Sequence, residues 1–129
     1  GLRTQANALQ SSFTLARSEA VRRSQPVTVA AGTNGFGDGW CVYAGGAADS
    51  CDDTTRIRQV EGADQLTWND NGTTSVTFDD RGERQNPGPG TNIQIQVYPD
   101  NCAAGEAPGM RAVSVTMAGR ASIIEGDCP

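Results

Sequence analysis

Cysteine is the residue type with the most distinctive chemistry in this sequence, and it occurs at Cys41, Cys51, Cys102 and Cys128. No two of these form a C-x-x-C pair, and the chain contains no histidine, so their spacings do not match those of common zinc sites. Four cysteines allow three disulfide connectivities. We expect the most local one, Cys41 with Cys51 and Cys102 with Cys128, in a protein of an oxidising compartment.

An acidic set and a glycine-rich segment could also bind ligands. The acidic set, Asp52-Asp53, Asp70 and Asp79-Asp80, offers the oxygen ligands that calcium prefers, but none of it fits the EF-hand loop. The segment 32–39 lacks the Lys and the Ser or Thr of a phosphate loop, and it lies between two predicted strands rather than before a helix. We therefore expect no calcium site, no cofactor and a plain connecting loop at 32–39.

The same sequence does not predict catalysis. The absence of histidine removes His-dependent triads and imidazole acid–base chemistry. Serine and threonine are common, but no general base of matched pKa stands out beside any of them. A carboxylate pair for glycoside hydrolysis stays open, because any two of the fifteen acids could approach in space. We favour a non-enzymatic protein with no catalytic residues.

The charge balance bears on the choice of partners. The 129 residues carry a net charge of -5, and all ten basic residues are arginine. Non-specific binding to nucleic acid relies on clustered basic side chains that release counterions from phosphate, so we expect no DNA binding. No window approaches the roughly 20 consecutive apolar residues of a membrane span.

Residues 2–24 show the only pattern typical of a long helix. Apolar residues recur at steps of three and four, and no proline interrupts the segment before Pro26. The stripe predicted to pack against the rest of the chain consists of Leu2, Ala6, Leu9, Phe13, Ala16 or Arg17, and Ala20, widened by Leu15 and Val21. The opposite side is predicted to carry Gln5, Ser12, Ser18 and Arg22.

The two ends of this helix differ in chemistry. No Ser, Thr, Asp or Asn cap precedes Leu2, so we expect the helix to continue upstream in the natural protein. At the other end Arg17, Arg22 and Arg23 suit the negative pole of the helix dipole. Because the remainder of the chain is acidic, these three arginines are candidate contacts for the acidic face of a neighbouring subunit.

After Pro26 the apolar period changes to two, which indicates short antiparallel strands. The predicted strands are 27–30, 40–43, 55–60, 65–68, 74–78, 92–98, 111–117 and 119–124. Asn71-Gly72 predicts a hairpin between the fourth and fifth of these. Turns are expected at 80–82 and 118–119, and a surface loop at 86–90. One long helix on antiparallel sheet is a fold of the α+β class. A small secreted β-rich binding module or lectin would share the disulfides, the acidic charge and the glycine-rich loops, but it has no need of such a helix.

Three stretches resemble one known group, the minor pilins of type IV pili and minor pseudopilins of type II secretion (the GspH/FimT group). Residues 9–29 match its helix and first strand, including an A-R-S-E-A segment at 16–20 followed by basic residues. Residues 76–82 resemble its F-x-x-x-G turn, and residues 111–120 its terminal strand pair, which ends in Gly119-Arg120. Trp40 stands where a tryptophan is usual.

The resemblance implies a pilin-like fold and a structural role. Residues 1–25 would be the C-terminal half of the pilin helix, and residues 26–129 the β-rich part of a single periplasmic domain. The other half of the helix, which lies upstream, would anchor the protein in the inner membrane before it enters an extracellular pilus. The implied function is that of a FimU-like minor pilin, which joins other minor pilins and the major pilin in a tip complex that primes assembly.

Two alternatives belong to the same group. A minor pseudopilin of a type II secretion pseudopilus would have the same architecture. A DNA-uptake minor pilin would use a Gly-Arg-x-Arg motif, but here the sequence after Arg120 reads Ala-Ser, without the second arginine. Glu125 and Asp127 follow closely, and their charge opposes phosphate. We therefore favour the priming role.

Overall fold

A computed structural model describes all 129 residues and shows one long helix followed by nine strands. The helix, α1, spans Leu2–Arg23. The strands are β1 Val27–Gly32, β2 Gly35–Ala44, β3 Arg56–Glu61, β4 Leu66–Asn69, β5 Ser75–Phe78, β6 Arg84–Asn86, β7 Ile93–Pro99, β8 Met110–Val115 and β9 Ala121–Gly126. No helix of the structure has the length and hydropathy needed to cross a membrane. The predicted α+β class is confirmed.

All strand pairs are antiparallel, and they form two separate sheets. The five-stranded sheet has the order β3-β2-β1-β5-β6, and the four-stranded sheet has the order β4-β7-β8-β9. The inward residues of both sheets and one face of α1 form a single core. That arrangement buries the alternate positions of β7, Ile93, Ile95 and Val97, as their period of two predicts.

One face of α1 supplies the helical part of this core. Ala6, Leu9, Phe13, Ala16 and Ala20 are fully buried, and Leu2 is half-buried against the core. The helix ends at Arg23 because Ser24 adopts a left-handed conformation with φ 55°, and Gln25 donates its N–H to the Ala20 carbonyl at 3.2 Å.

Two side chains of α1 lie on the face opposite to the one predicted. Ser12 is fully buried, and its hydroxyl accepts a hydrogen bond from Trp40 Nε1 at 3.0 Å, because a buried indole N–H needs an acceptor. Val21, predicted to widen the stripe, is 50% exposed. It faces the turn at Gly82, which has no side chain to cover it.

The hairpin predicted at Asn71-Gly72 is wrong, although the turn itself forms. Asn71 and Gly72 have φ of 53° and 86°, as an Asn-Gly turn requires. However, β4 pairs with β7 and β5 pairs with β1, so the turn carries the chain from one sheet to the other. The reason is packing: Trp68 of β4 stacks on Phe36, with ring centroids 6.3 Å apart, whereas Phe78 of β5 packs edge-on to Phe13 of α1.

The segment 32–39 is also more regular than the expected connecting loop. Thr33 and Asn34 form the turn of a β1–β2 hairpin, and β2 already begins at Gly35. Glycine suits this part of the strand because the Trp68 ring lies against Gly37, within 3.2 Å of where a Cβ would stand. The strand β6 was not predicted. The bounds of β8 and β9 are Met110–Val115 and Ala121–Gly126 rather than the predicted 111–117 and 119–124.

We predict that Phe13→Ala lowers the free energy of unfolding by about 3–5 kcal/mol, because the ring is fully enclosed and its removal leaves a cavity. Urea unfolding of the purified domain measures the change. Val21→Ala on the same helix is the control and should stay within about 0.5 kcal/mol of the parent. Equal stabilities of the two variants would show that the Phe13 side of α1 is not the packing face.

Candidate functional site

The three stretches singled out in the sequence meet at the C-terminal end of α1. Arg17 of the helix donates a hydrogen bond through Nε to the Gly82 carbonyl oxygen, at 3.1 Å. Gly119 packs directly on Gly82: a Cβ at Gly119 would collide with that same carbonyl oxygen and lie 3.2 Å from Arg17 Nε. The helix, the turn at 79–82 and the turn at 116–119 are therefore joined at one point.

Backbone conformation at this junction explains the two glycines. Gly82 has φ +82° and Gly119 has φ +91°, both in the region that side-chain-bearing residues rarely adopt. A Cβ at Gly82 would also lie 3.2 Å from both Arg17 Cγ and Val21 Cγ2. Each glycine is thus required both for its turn and for close contact with the helix. Arg120, next to Gly119, remains exposed.

A second group of charges lies on the adjacent turn of α1. Glu19 accepts hydrogen bonds from Arg22 at 2.7 and 2.8 Å and from Arg23 at 3.2 Å. The Arg22 hydrogen bond is the main reason why the pKa of Glu19 falls from 4.5 to about 2; partial burial opposes the fall and Arg23 adds to it. The same hydrogen bond raises the pKa of Arg22. Glu19 therefore neutralises part of the charge of the arginine pair.

The candidate interface residues Arg17, Arg22 and Arg23 consequently differ in their surroundings. Arg17 is exposed, but its Nε makes an intramolecular hydrogen bond, and the residue forms no ion pair. Arg22 and Arg23 are exposed and share Glu19. The structure brings Arg81 beside Arg17 and Arg22. Charge and periodicity along the helix could not reveal this residue, because it comes from the turn at 79–82.

Arg84 is a structurally important residue that the sequence analysis missed. It is 4% exposed, and its guanidinium donates hydrogen bonds to four backbone carbonyls, those of Pro87, Gly88, Thr91 and Val115, at 2.6–3.2 Å. Burial lowers the pKa of this arginine. A signal was present: the prolines of the segment 87–90 have no N–H, and such a loop needs another donor for its carbonyls.

The cysteines form the disulfides Cys41–Cys51 and Cys102–Cys128, and no free cysteine remains. The first closes the 45–50 loop, where the Tyr43 hydroxyl also contacts the carbonyls of Gly46 and Asp49 at 2.8 and 2.9 Å. Glu106 lies close to the sulfurs of the second pair. Those sulfurs cannot act as thiolate ligands while they are bonded to each other, so this group offers no metal site.

Asp52, Asp70 and Asp79, three members of the acidic set identified in the sequence, serve local turns. Asp52 accepts hydrogen bonds from the Thr54 hydroxyl at 2.7 Å and from the backbone N–H groups of Thr54 and Thr55, and the Thr54 hydroxyl contributes most to lowering its pKa. Asp79 accepts the N–H groups of Arg81 and Glu83 at 3.0 and 2.9 Å, and Asp70 accepts that of Gly72. Each carboxylate thus has a structural role in its own loop.

Comparison with known proteins gives consistent results. The family model described as type II transport protein GspH matches residues 5–119. Two crystal structures of the type IV minor pilin FimU from Pseudomonas aeruginosa share the fold at 24% sequence identity. One superposes with a TM-score of 0.75 over 95% of this chain and 92% of that one, the other with 0.76 over 95% and 87%. A search of the curated proteins finds no match.

We predict that Gly119→Ala destabilises the domain by more than the about 1–2 kcal/mol that a left-handed alanine costs, because its Cβ also meets the Gly82 carbonyl. Chemical denaturation of the purified variant measures the loss. Gly105→Ala is the matched control, since Gly105 has φ +84° with nothing within 4 Å of its Cβ position. If both variants lose the same stability, the Gly82–Gly119 contact contributes nothing.

A pH dependence should follow from Glu19. Since its pKa is lower in the folded protein, its stabilising contribution is complete above pH 4.5 and disappears as the pH falls towards 2. The stability difference between the parent and Glu19→Gln, measured by urea unfolding across this range, should therefore vanish over the same interval. Glu61→Gln, which removes a carboxylate without a hydrogen bond or ion pair, controls for the change of net charge. A difference that persists unchanged at pH 2 would contradict the prediction.

Proposed function

The chain belongs to the GspH family of type II transport proteins, and we propose that within it the protein is a minor pilin of a type IV pilus. Its part would be that of a tip subunit, which joins other minor pilins and the major pilin to prime filament assembly. Members of this family are structural, non-enzymatic proteins. The work of such a subunit is done by surfaces rather than by a catalytic site.

One observation carries the proposal: 95% of the chain has the fold of FimU, which is described as a type IV minor pilin. The family model adds the match over residues 5–119, and this range includes the Arg17, Gly82 and Gly119 junction. Two disulfides support a periplasmic location, where oxidising conditions maintain them. We propose that the domain, residues 1–129, lies there, attached to the inner membrane through a helix preceding it, and later in the pilus.

The surroundings of the Gly-Arg pair favour this role over DNA uptake. Gly119 is used for packing against Gly82, and no second arginine stands beside Arg120. A second arginine of the same sheet, Arg111 of β8, forms an ion pair with Glu125 of β9 at 3.3 Å. The Gly-Arg pair thus offers a single arginine to a phosphate backbone, and this counts against DNA as a partner.

We predict that deleting the gene abolishes or thins the surface filaments and that the full-length gene restores them, because a priming subunit acts before elongation. Electron microscopy and sheared-filament yield measure the effect, and total major pilin in the cell is the control. Normal filaments together with lost secretion of a folded exoprotein would instead identify a pseudopilin. A loss of DNA uptake alone would identify the DNA-binding branch.

A further inference from the structure

A shallow depression lies beside the C-terminal half of α1, where the helix meets the turn at 79–82. Its volume is about 420 Å³, and its lining consists of Thr14, Arg17, Ser18, Val21, Arg22 and Arg81. Three guanidinium groups, two hydroxyls and one apolar side chain thus surround it, without a carboxylate. We propose that this depression is a docking site for an acidic segment of another pilin subunit, an inference that rests on the proposed function.

Arg17 is the element of the site that is already fixed in place. Its Nε hydrogen bond to the Gly82 carbonyl holds the side chain against the turn, and it has no carboxylate partner in the chain. An arginine has five N–H donors, of which this bond uses one. The remaining donors can bind an incoming carboxylate, and little side-chain freedom is lost because the position is already fixed.

Arg22 and Arg81 form intramolecular ion pairs that can be exchanged for contacts with an incoming carboxylate. Arg22 binds Glu19, which Arg23 also contacts, and Arg81 lies 3.4 Å from Glu83 with 76% of its side chain exposed. The exposed Arg81–Glu83 pair contributes little to stability. Both arginines can therefore turn towards a carboxylate in the depression.

Val21 supplies an apolar contact within this basic surface. It is 50% exposed, although large apolar side chains on the inner face of α1 are fully buried. Arginine is enriched at protein interfaces, and the buried centre of an interface is more apolar than its rim. The expected occupant is thus a segment that carries Asp or Glu beside an apolar residue.

A subunit with the charge distribution of this chain would offer such a segment. Residues 14–23, 79–83 and 116–120 carry five arginines and four acids, whereas the rest of the chain has a net charge of -6. A depression on one subunit and an acidic segment on another are different surfaces, so the contact is heterologous and can propagate along a filament. Complementary charge would then set the rate and register of assembly.

Site-specific photocrosslinking in the living cell tests the site. A benzophenone amino acid replaces Val21 in the full-length protein, and the same amino acid at Ile124, which is 52% exposed but does not line the depression, is the control. We expect position 21 to crosslink to a pilin subunit at a peptide that contains Asp or Glu, and position 124 not to give that product. Absence of a product at 21, a linked peptide without a carboxylate, or the same product from both positions would overturn the proposal.

Charge reversal gives a second, independent measurement. Arg22→Glu and Arg81→Glu should each reduce the yield of the position-21 crosslink by about tenfold, because each places a negative charge in the depression. Arg23→Glu is the matched control: it contacts the same Glu19 but does not line the depression, so the yield should be retained. Melting temperatures of the purified variants verify folding. Equal yields for the Arg22 and Arg23 variants would overturn the site.

The two proposals can fail separately. If gene deletion thins the filaments but Arg81→Glu restores them fully and keeps the crosslink, the minor-pilin function stands and the docking site is wrong. If deletion leaves filaments intact and affects only secretion, the pilus function is wrong, and the position-21 crosslink to a pseudopilin still supports the site.

Discussion

The packing of α1 against both sheets is the interaction on which the remaining contacts depend. Phe13 meets Phe78 of the five-stranded sheet, with ring centroids 6.4 Å apart, while Gln10 reaches the Ala121 carbonyl of the four-stranded one at 3.3 Å. Ser12, between them in sequence, holds the buried Trp40 indole. Because one face of α1 packs against both sheets, the position of the C-terminal half of the helix is also fixed. That placement brings Arg17 to the Gly82 carbonyl.

Periodicity was sufficient to predict the secondary-structure elements that depend on local sequence. The helix and its apolar stripe follow from spacing at three and four, and the long strands from alternation, since these properties are carried by neighbouring residues. The hairpin at Asn71-Gly72 failed because a turn sequence specifies backbone geometry, whereas the partner of each strand is decided by distant side chains such as Trp68 and Phe78. The burial of Ser12 and Arg84 was not predicted for a related reason. Each side chain is buried because it forms a hydrogen bond with a group that lies far away in the sequence.

The candidate site was predictable only in part. Excess positive charge marked Arg17, Arg22 and Arg23 from the sequence, and glycine after the Phe78 turn marked Gly82. Nothing in the sequence indicated that Gly119 packs on Gly82, or that Arg81 and Val21 share a depression with two of those arginines. These relations arise where three segments far apart in the chain meet. The division of the helix arginines into one bound to backbone and two bound to Glu19 likewise depends on contacts that the sequence does not specify.

The way Arg84 holds the 87–91 loop has an evolutionary consequence. Its guanidinium binds main-chain oxygens of that loop, atoms that every amino acid possesses, so the loop's side chains are free to diverge among homologues. The length and path of the loop are not free to change, because its carbonyls must keep their positions around the planar guanidinium group. Lysine, with a single donor atom, could not reach all of them. Relatives of this protein should thus vary the loop's surface chemistry while retaining the arginine, so that the loop can change its recognition properties without refolding.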